Sequence, residues 1–134
     1  MAKTTGLGAA ISVADASATP QTISNDCTNF TFASPRAVQD VTGVDKSAME
    51  RLLLLADASM TLNGVFNSAT NMSHDVFKTI PSTSVARAVV LTVASKIWTT
   101  SMMLTDYTLT RAAAGELTFA VPGSLTGGSA PVWS

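Results

Sequence analysis

The chain has 134 residues, of which 46% are hydrophobic, 13% charged and only 6% aromatic, with a formal net charge of −1. That apolar content excludes a disordered chain, and the balanced charge excludes an electrostatic binder of nucleic acid or anionic membrane. Cys27 is the only cysteine, which excludes an internal disulfide and a cysteine-rich metal site.

Fifteen Ser and nineteen Thr make up about a quarter of the chain. The surface is therefore polar through hydroxyls rather than ions, and hydroxyls cost far less to desolvate than charges. We read this as a surface made for extensive contact between subunits. The length predicts one domain over 1–134, with Gly/Ser/Thr/Pro-rich arms at 1–8 and 123–134. The opening MAKTTGLGAAISV has no apolar stretch of signal-peptide length, and no run approaches a transmembrane helix. A soluble protein assembled in a cytoplasm is the expectation.

Along the chain, the first distinctive stretch is Asp40 to Asp57, which holds six of the seventeen charges around Leu52-Leu53-Leu54-Leu55. Ser47-Ala48-Met49-Glu50 fits a capping box, with Asp45 as a competing cap, and predicts a short helical turn at about 47–54. Ala58, Met60, Leu62, Gly64 and Phe66 then alternate with polar residues, the period of a strand with one buried face. Met72, Val76, Phe77 and Ile80 form one stripe of an amphipathic helix over about 71–80, ended by Pro81. Val85–Ser95 is apolar on both faces apart from Arg87 and Thr92, which predicts a strand covered on both sides. The Thr-rich run from Thr99 to Arg111 continues the sheet.

A hairpin follows, with Leu117, Phe119 and Val121 on one face and Ala112-Ala113-Ala114-Gly115 as its loop. Gly115 stands where a positive φ is wanted, and Arg111 is expected to face Glu116. A short helix over the alanine triplet is the alternative. The whole reads as mainly β: a sandwich or partly open barrel with one flanking helix and extended terminal arms.

Catalytic chemistry finds little footing. His74 is the only histidine, and its neighbour Asp75 points away from it on a helix. The nine carboxylates are scattered, and no phosphate-binding glycine loop is present. Neither an enzyme nor a cofactor or metal site is expected. Two Trp and one Tyr also give little basis for an aromatic ligand-binding platform.

Three segments, VQDVTGVDKSAMERLLLLADASMTLNGVFN, SHDVFKTI and YTLTRAAAGELTFAVPGSL, together resemble the tail tube (major tail) proteins of long-tailed, non-contractile bacteriophages. The D-x-T-G-x-D-K-S-A-x-E-R run is the most distinctive and R-A-A-x-G-x-L-x-F-x-V-P the second. Ala114 departs from the Asp or Asn expected before the turn glycine. The resemblance implies a tail-tube β-fold, rings of six copies with a continuous β-barrel as inner wall, and arms that latch ring to ring. It further implies a virion protein that passes double-stranded DNA without catalysis and meets a tape measure protein and tail terminator and tip proteins. Another β-rich virion component, such as a decoration or head–tail connector protein, is the alternative; a β-sandwich ligand-binding module is a more distant one.

In a ring, the leucines would be covered by a neighbour while charges at the rim fix register. The expected interface residues are Asp45, Lys46, Met49, Glu50, Arg51, Leu52, Leu53, Leu54, Leu55 and Asp57, with Val132 and Trp133 at the C-terminal arm. A core helix with solvated charges is the other reading of the same leucines. A bore for DNA also has to avoid Lys and Arg contacts with phosphate, so its wall is expected to be Ser, Thr, Ala, Asn and acids.

Overall fold

The computed structural model describes residues 3–134. Six strands come first: β1 (Ala10–Ala14), β2 (Pro20–Thr22), β3 (Cys27–Ala33), β4 (Arg36–Asp40), β5 (Arg51–Ala56) and β6 (Ser59–Val65). A short helix, α1 (Ser73–Phe77), separates them from β7 (Arg87–Val93), β8 (Lys96–Leu104), β9 (Thr108–Arg111), β10 (Leu117–Leu125) and β11 (Val132–Trp133). Nine strands share one antiparallel sheet in the order β2-β1-β7-β8-β10-β6-β3, with β9 beside β10 and β11 beside β8. Among the described residues, strands β4 and β5 pair only with each other.

The sheet forks at β10. Its end, Gly123–Leu125, pairs with Met102–Leu104 of β8, whereas Leu117–Ala120 pair on the same edge with β9. The part of β8 that β10 leaves free is taken by β11, with Val132 opposite Thr99 and Trp133 opposite Trp98. Two leaves result, β2-β1-β7-β8-β11 and β3-β6-β10-β9, which share a corner and close over one core. Phe32 of one leaf meets Trp98 of the other edge-on at 4.8 Å. This is an open sandwich of antiparallel strands with no closed barrel, within the fold class that the alternating patterns predict.

Period-two patterning sets which side of each strand is inside. In β6, Met60 and Leu62 are buried while Ser59 and Thr61 are exposed. Gly64 continues the inner row because a Cβ there would come within 2.7 Å of the Phe119 ring and would strike the Asp26 carbonyl. In β7 the inner row is Arg87, Val89 and Leu91. Its outer row is not covered by any of the described residues, since Ala88 is exposed and Val90 half-buried, so the strand expected to be covered on both sides has one uncovered face.

The helix is shorter than the 71–80 predicted, although Val76 and Phe77 are fully buried and Ile80 packs against the core. Arg87 ends it: its guanidinium donates to the Val76 carbonyl, the acceptor that the Ile80 N–H would otherwise use, and also to Thr79 Oγ1 at 2.8 Å. Ile80 N–H bonds Phe77 O instead, a tighter turn. At the other end the buried Asp26 carboxylate accepts from Ser73 N–H at 3.0 Å and from the Asn67 amide at 2.9 Å. The anion at the N-terminus and the cation at the C-terminus both complement the peptide dipoles.

Three expectations are corrected. The helical turn at 47–54 does not form; 51–56 is strand β5, with Arg51 opposite Asp40, Leu52 opposite Gln39 and Leu53 opposite Val38. Thr42 overrides the capping box, because its hydroxyl takes the Glu50 N–H at 2.8 Å while Asp40 accepts from the same hydroxyl at 2.6 Å. In the β9–β10 hairpin, Arg111 faces Leu117 rather than Glu116. Gly115, at φ +100°, forms a bulge, so Ala112 and Glu116 close the loop and the register moves by one residue. Finally, 123–125 belong to β10 rather than to a free arm. At the other terminus, 3–8 are exposed and lie outside any strand, and 1–2 fall outside the described residues.

Candidate assembly surfaces

The β4–β5 hairpin is an arm. Every residue of β4 is exposed, as is every residue of β5 except Ala56. Leu55 is 91% exposed, and Leu52, Leu53 and Leu54 range from 41% to 59%. Val38, Val41, Val44 and Met49 extend the apolar surface to the tip. Successive strand residues face opposite sides, so the four leucines make both faces of the arm apolar. A lone two-stranded ribbon is marginal in water, and fully burying each leucine is worth about 1.5–3 kcal/mol. Contiguous exposed apolar surface of this kind is what contact sites in general present.

Charges sit at the tip and base of the arm. Lys46 lies 3.8 Å from Glu50 and 4.0 Å from Asp45, all well exposed, so these pairs orient more than they stabilise. The Thr42 side chain, and then its backbone N–H, hold the Asp40 carboxyl below the usual range. Asp57 is the base: its carboxylate accepts from Ala58 N–H at 2.8 Å and its own N–H donates to Pro35 O at 3.0 Å. Arg36 Nε donates to Leu54 O at 2.9 Å and stiffens the root. The arm thus carries Asp45, Lys46, Met49, Glu50, Arg51 and Leu52–Leu55 together, with Asp57 where it joins the sandwich.

Val132 and Trp133 are elsewhere, on β11. Ile97 and Ser134 exchange both backbone bonds, at 3.0 and 2.8 Å, which pins the strand, yet Val132 and Trp133 stay exposed. Trp133 stacks at a tilt 6.4 Å from the buried Trp98. Charge clustering marked the arm in the sequence; the free edges of the sheet had no such signal. Strand β3 pairs only with β6 and β9 only with β10, so the leaf β3-β6-β10-β9 ends in an unpaired backbone edge on each side among the described residues.

The groups able to do chemistry lie apart. His74 Nδ1 is 3.3 Å from the Tyr107 hydroxyl, with Phe66 packed 4.9 Å from its ring. Burial, with the charge of Asp26, pushes the Cys27 thiol up to about 11 and removes its nucleophilic form at neutral pH. Asp75 is held below the usual carboxylate range by the Asn71 N–H and then by Lys78, 3.1 Å away. Among the described residues, no three of His, Cys, Asp and Glu converge.

The chain is an open β-sandwich with a projecting two-stranded arm, and solved structures share its fold. Over 98% of this chain and 99% of the other, it matches a chain from the virion of a native gene transfer agent (GTA) particle with a TM-score of 0.78 at 18% identity. With the same coverage it matches a chain from the tail of an empty GTA particle, refined helically with C6 symmetry, with a TM-score of 0.75 at 19% identity. No family model and no curated protein matches the chain. At this level of identity the likeness is one of fold, and it is the kind of fold that the resemblance to tail tube proteins implied.

Proposed function

We propose that the chain is a structural tail protein of a phage-like virion, without catalytic activity, which self-assembles into stacked rings of six to form the tube through which double-stranded DNA leaves the particle. The observation that carries this reading is the exposed leucine arm: a hairpin apolar on both faces, rooted in a rigid sandwich. Two free edges on one leaf support it, because β3 of one copy can pair with β9 of the next and carry the sheet around a ring. The arm would then reach between rings, one contact closing and the other propagating. Both matched GTA particles are assemblies, and the tail has six-fold symmetry. Assembly in the host cytoplasm and contacts with tape measure, terminator and tip proteins belong to the same reading.

Purified protein, concentrated and viewed by negative-stain microscopy beside analytical sedimentation, tests it. Annular particles or hollow tubes are expected. A monomer at all concentrations, or compact trimers without a bore, overturns the reading; trimers are the result that a decoration protein would give.

A further inference from the structure

The arm is two regular pieces joined by an irregular one. At its root, Asp57 N–H donates to Pro35 O at 3.0 Å, the Asp57 carboxylate accepts from Ala58 N–H at 2.8 Å, and Arg36 stands opposite Ala56. Further out the ladder is regular again, with Val38 opposite Leu53, Gln39 opposite Leu52 and Asp40 opposite Arg51. Val41 N–H donates to Glu50 O at 3.0 Å, and the Thr42 hydroxyl, held between Asp40 and the Glu50 N–H, latches the tip. Between the two pieces Ala37 alone faces both Leu54 and Leu55, which is a β-bulge.

A bulge interrupts the ladder and lets the strand bend. Beyond this one the ribbon pairs with no other strand among the described residues, so any displacement of the tip is transmitted through Ala37, Leu54 and Leu55. The hollow beside the bulge, lined by Pro35, Ala37, Leu55 and Asp57, opens to solvent and leaves room for the ribbon to turn. One side chain spans the irregular piece. Arg36 belongs to the root, and its Nε donates at 2.9 Å to the carbonyl of Leu54, inside the bulge. A guanidinium suits that task because it is planar, always charged and pre-organised for its hydrogen bonds.

We propose that the bulge at Ala37, Leu54 and Leu55 is a hinge on which the outer ribbon turns as one body, and that Arg36 is the pin that fixes its angle. Docking costs less when the docking element is already held in the direction it needs. The pin therefore sets how the leucines are presented before any partner arrives. The inference concerns the unassembled subunit and stands or falls apart from the tube reading.

Distances between spin labels in dilute, unassembled protein test it. One label goes on Val44→Cys at the tip and the other on Thr99→Cys in the sandwich, in a Cys27→Ser background. The otherwise native arm should give one narrow distance distribution. Arg36→Met should widen it about two-fold, since few bonds hold that part of the chain. Hydrogen exchange at the Val41 amide should keep its native rate, because the ribbon itself stays intact. Deletion of Leu54 restores one-to-one pairing, so adding Arg36→Met in that background should cause no widening; deletion of Leu55 serves equally should the first deletion fail to fold. Three results overturn the proposal: an Arg36→Met distribution no wider than the native one, the same widening with the bulge deleted, or faster exchange at Val41, which would mean that the ribbon frays instead of turning.

Discussion

The sandwich and the arm are built from the same antiparallel pairing, yet they dispose of their apolar residues in opposite ways. In β6, Met60 and Leu62 are 3% and 0% exposed and the polar residues between them face out. In β5 four leucines run in succession and none is buried. The first pattern is complete within one chain; the second leaves its apolar side chains to solvent. On the proposed assembly, stability and assembly are therefore separable properties, located in different residues.

The sharpest way to break the comparison is to alter each region in turn. Leu53→Asp with Leu55→Asp should abolish tubes while moving monomer stability by no more than about 0.5 kcal/mol, the usual range for exposed sites; microscopy and calorimetry read the two effects. A large fall in Tm would show that the arm belongs to the core after all. Leu62→Ala should do the reverse to the monomer and cost about 2–5 kcal/mol in urea unfolding.

Smaller effects sharpen the account of the core. Arg87→Ala strands the Val76 carbonyl and Thr79 hydroxyl, at about 1–3 kcal/mol for a buried group left unpaired, and amide exchange should rise first around α1. Arg87→Met, which removes the buried charge but keeps the bulk, should cost less. Among the described residues, the buried Thr100 hydroxyl has no partner. Thr100→Val should therefore raise stability by up to about 1 kcal/mol. The smallest expected effect is on acid sensitivity. Asp75 has a folded-state pKa below its unfolded value, so its contribution is present above the usual carboxylate range and is lost as pH falls through and below it. Asp75→Asn should flatten the acid limb of the stability curve and leave neutral pH little changed.

How far the sequence could be read follows the same division. The rows Met60–Leu62–Gly64 and Phe119–Val121 and the buried Val76 and Phe77 were visible because the chain's own core dictates them, and the Gly115 turn because a positive φ is a local demand. The arm was misread as a helical turn. Four consecutive leucines show no alternation, since neither face of β5 meets the core, and the Ser47–Glu50 capping signal was local enough for one Thr42 hydroxyl to defeat. The shortened helix depended on Arg87, ten residues beyond Phe77, reaching back to the Val76 carbonyl. The Arg111–Glu116 register turned on a single glycine bulge. The free edges of β3 and β9 are a property of strand order, which no local pattern encodes.

One strand, β10, belongs to both leaves, and Gly123 at the fork lies so close to Met60 and Leu104 that an added Cβ would sit 3.1–3.2 Å from each. The leaves therefore cannot shear past one another without breaking that strand's hydrogen bonds. In the polymer proposed above, the subunit would behave as a stiff block, and bending would be taken up at the joints where arms meet neighbours. Such a filament can curve without its building blocks deforming, so its elasticity would be tuned by changing the arm and left untouched by changes to the core.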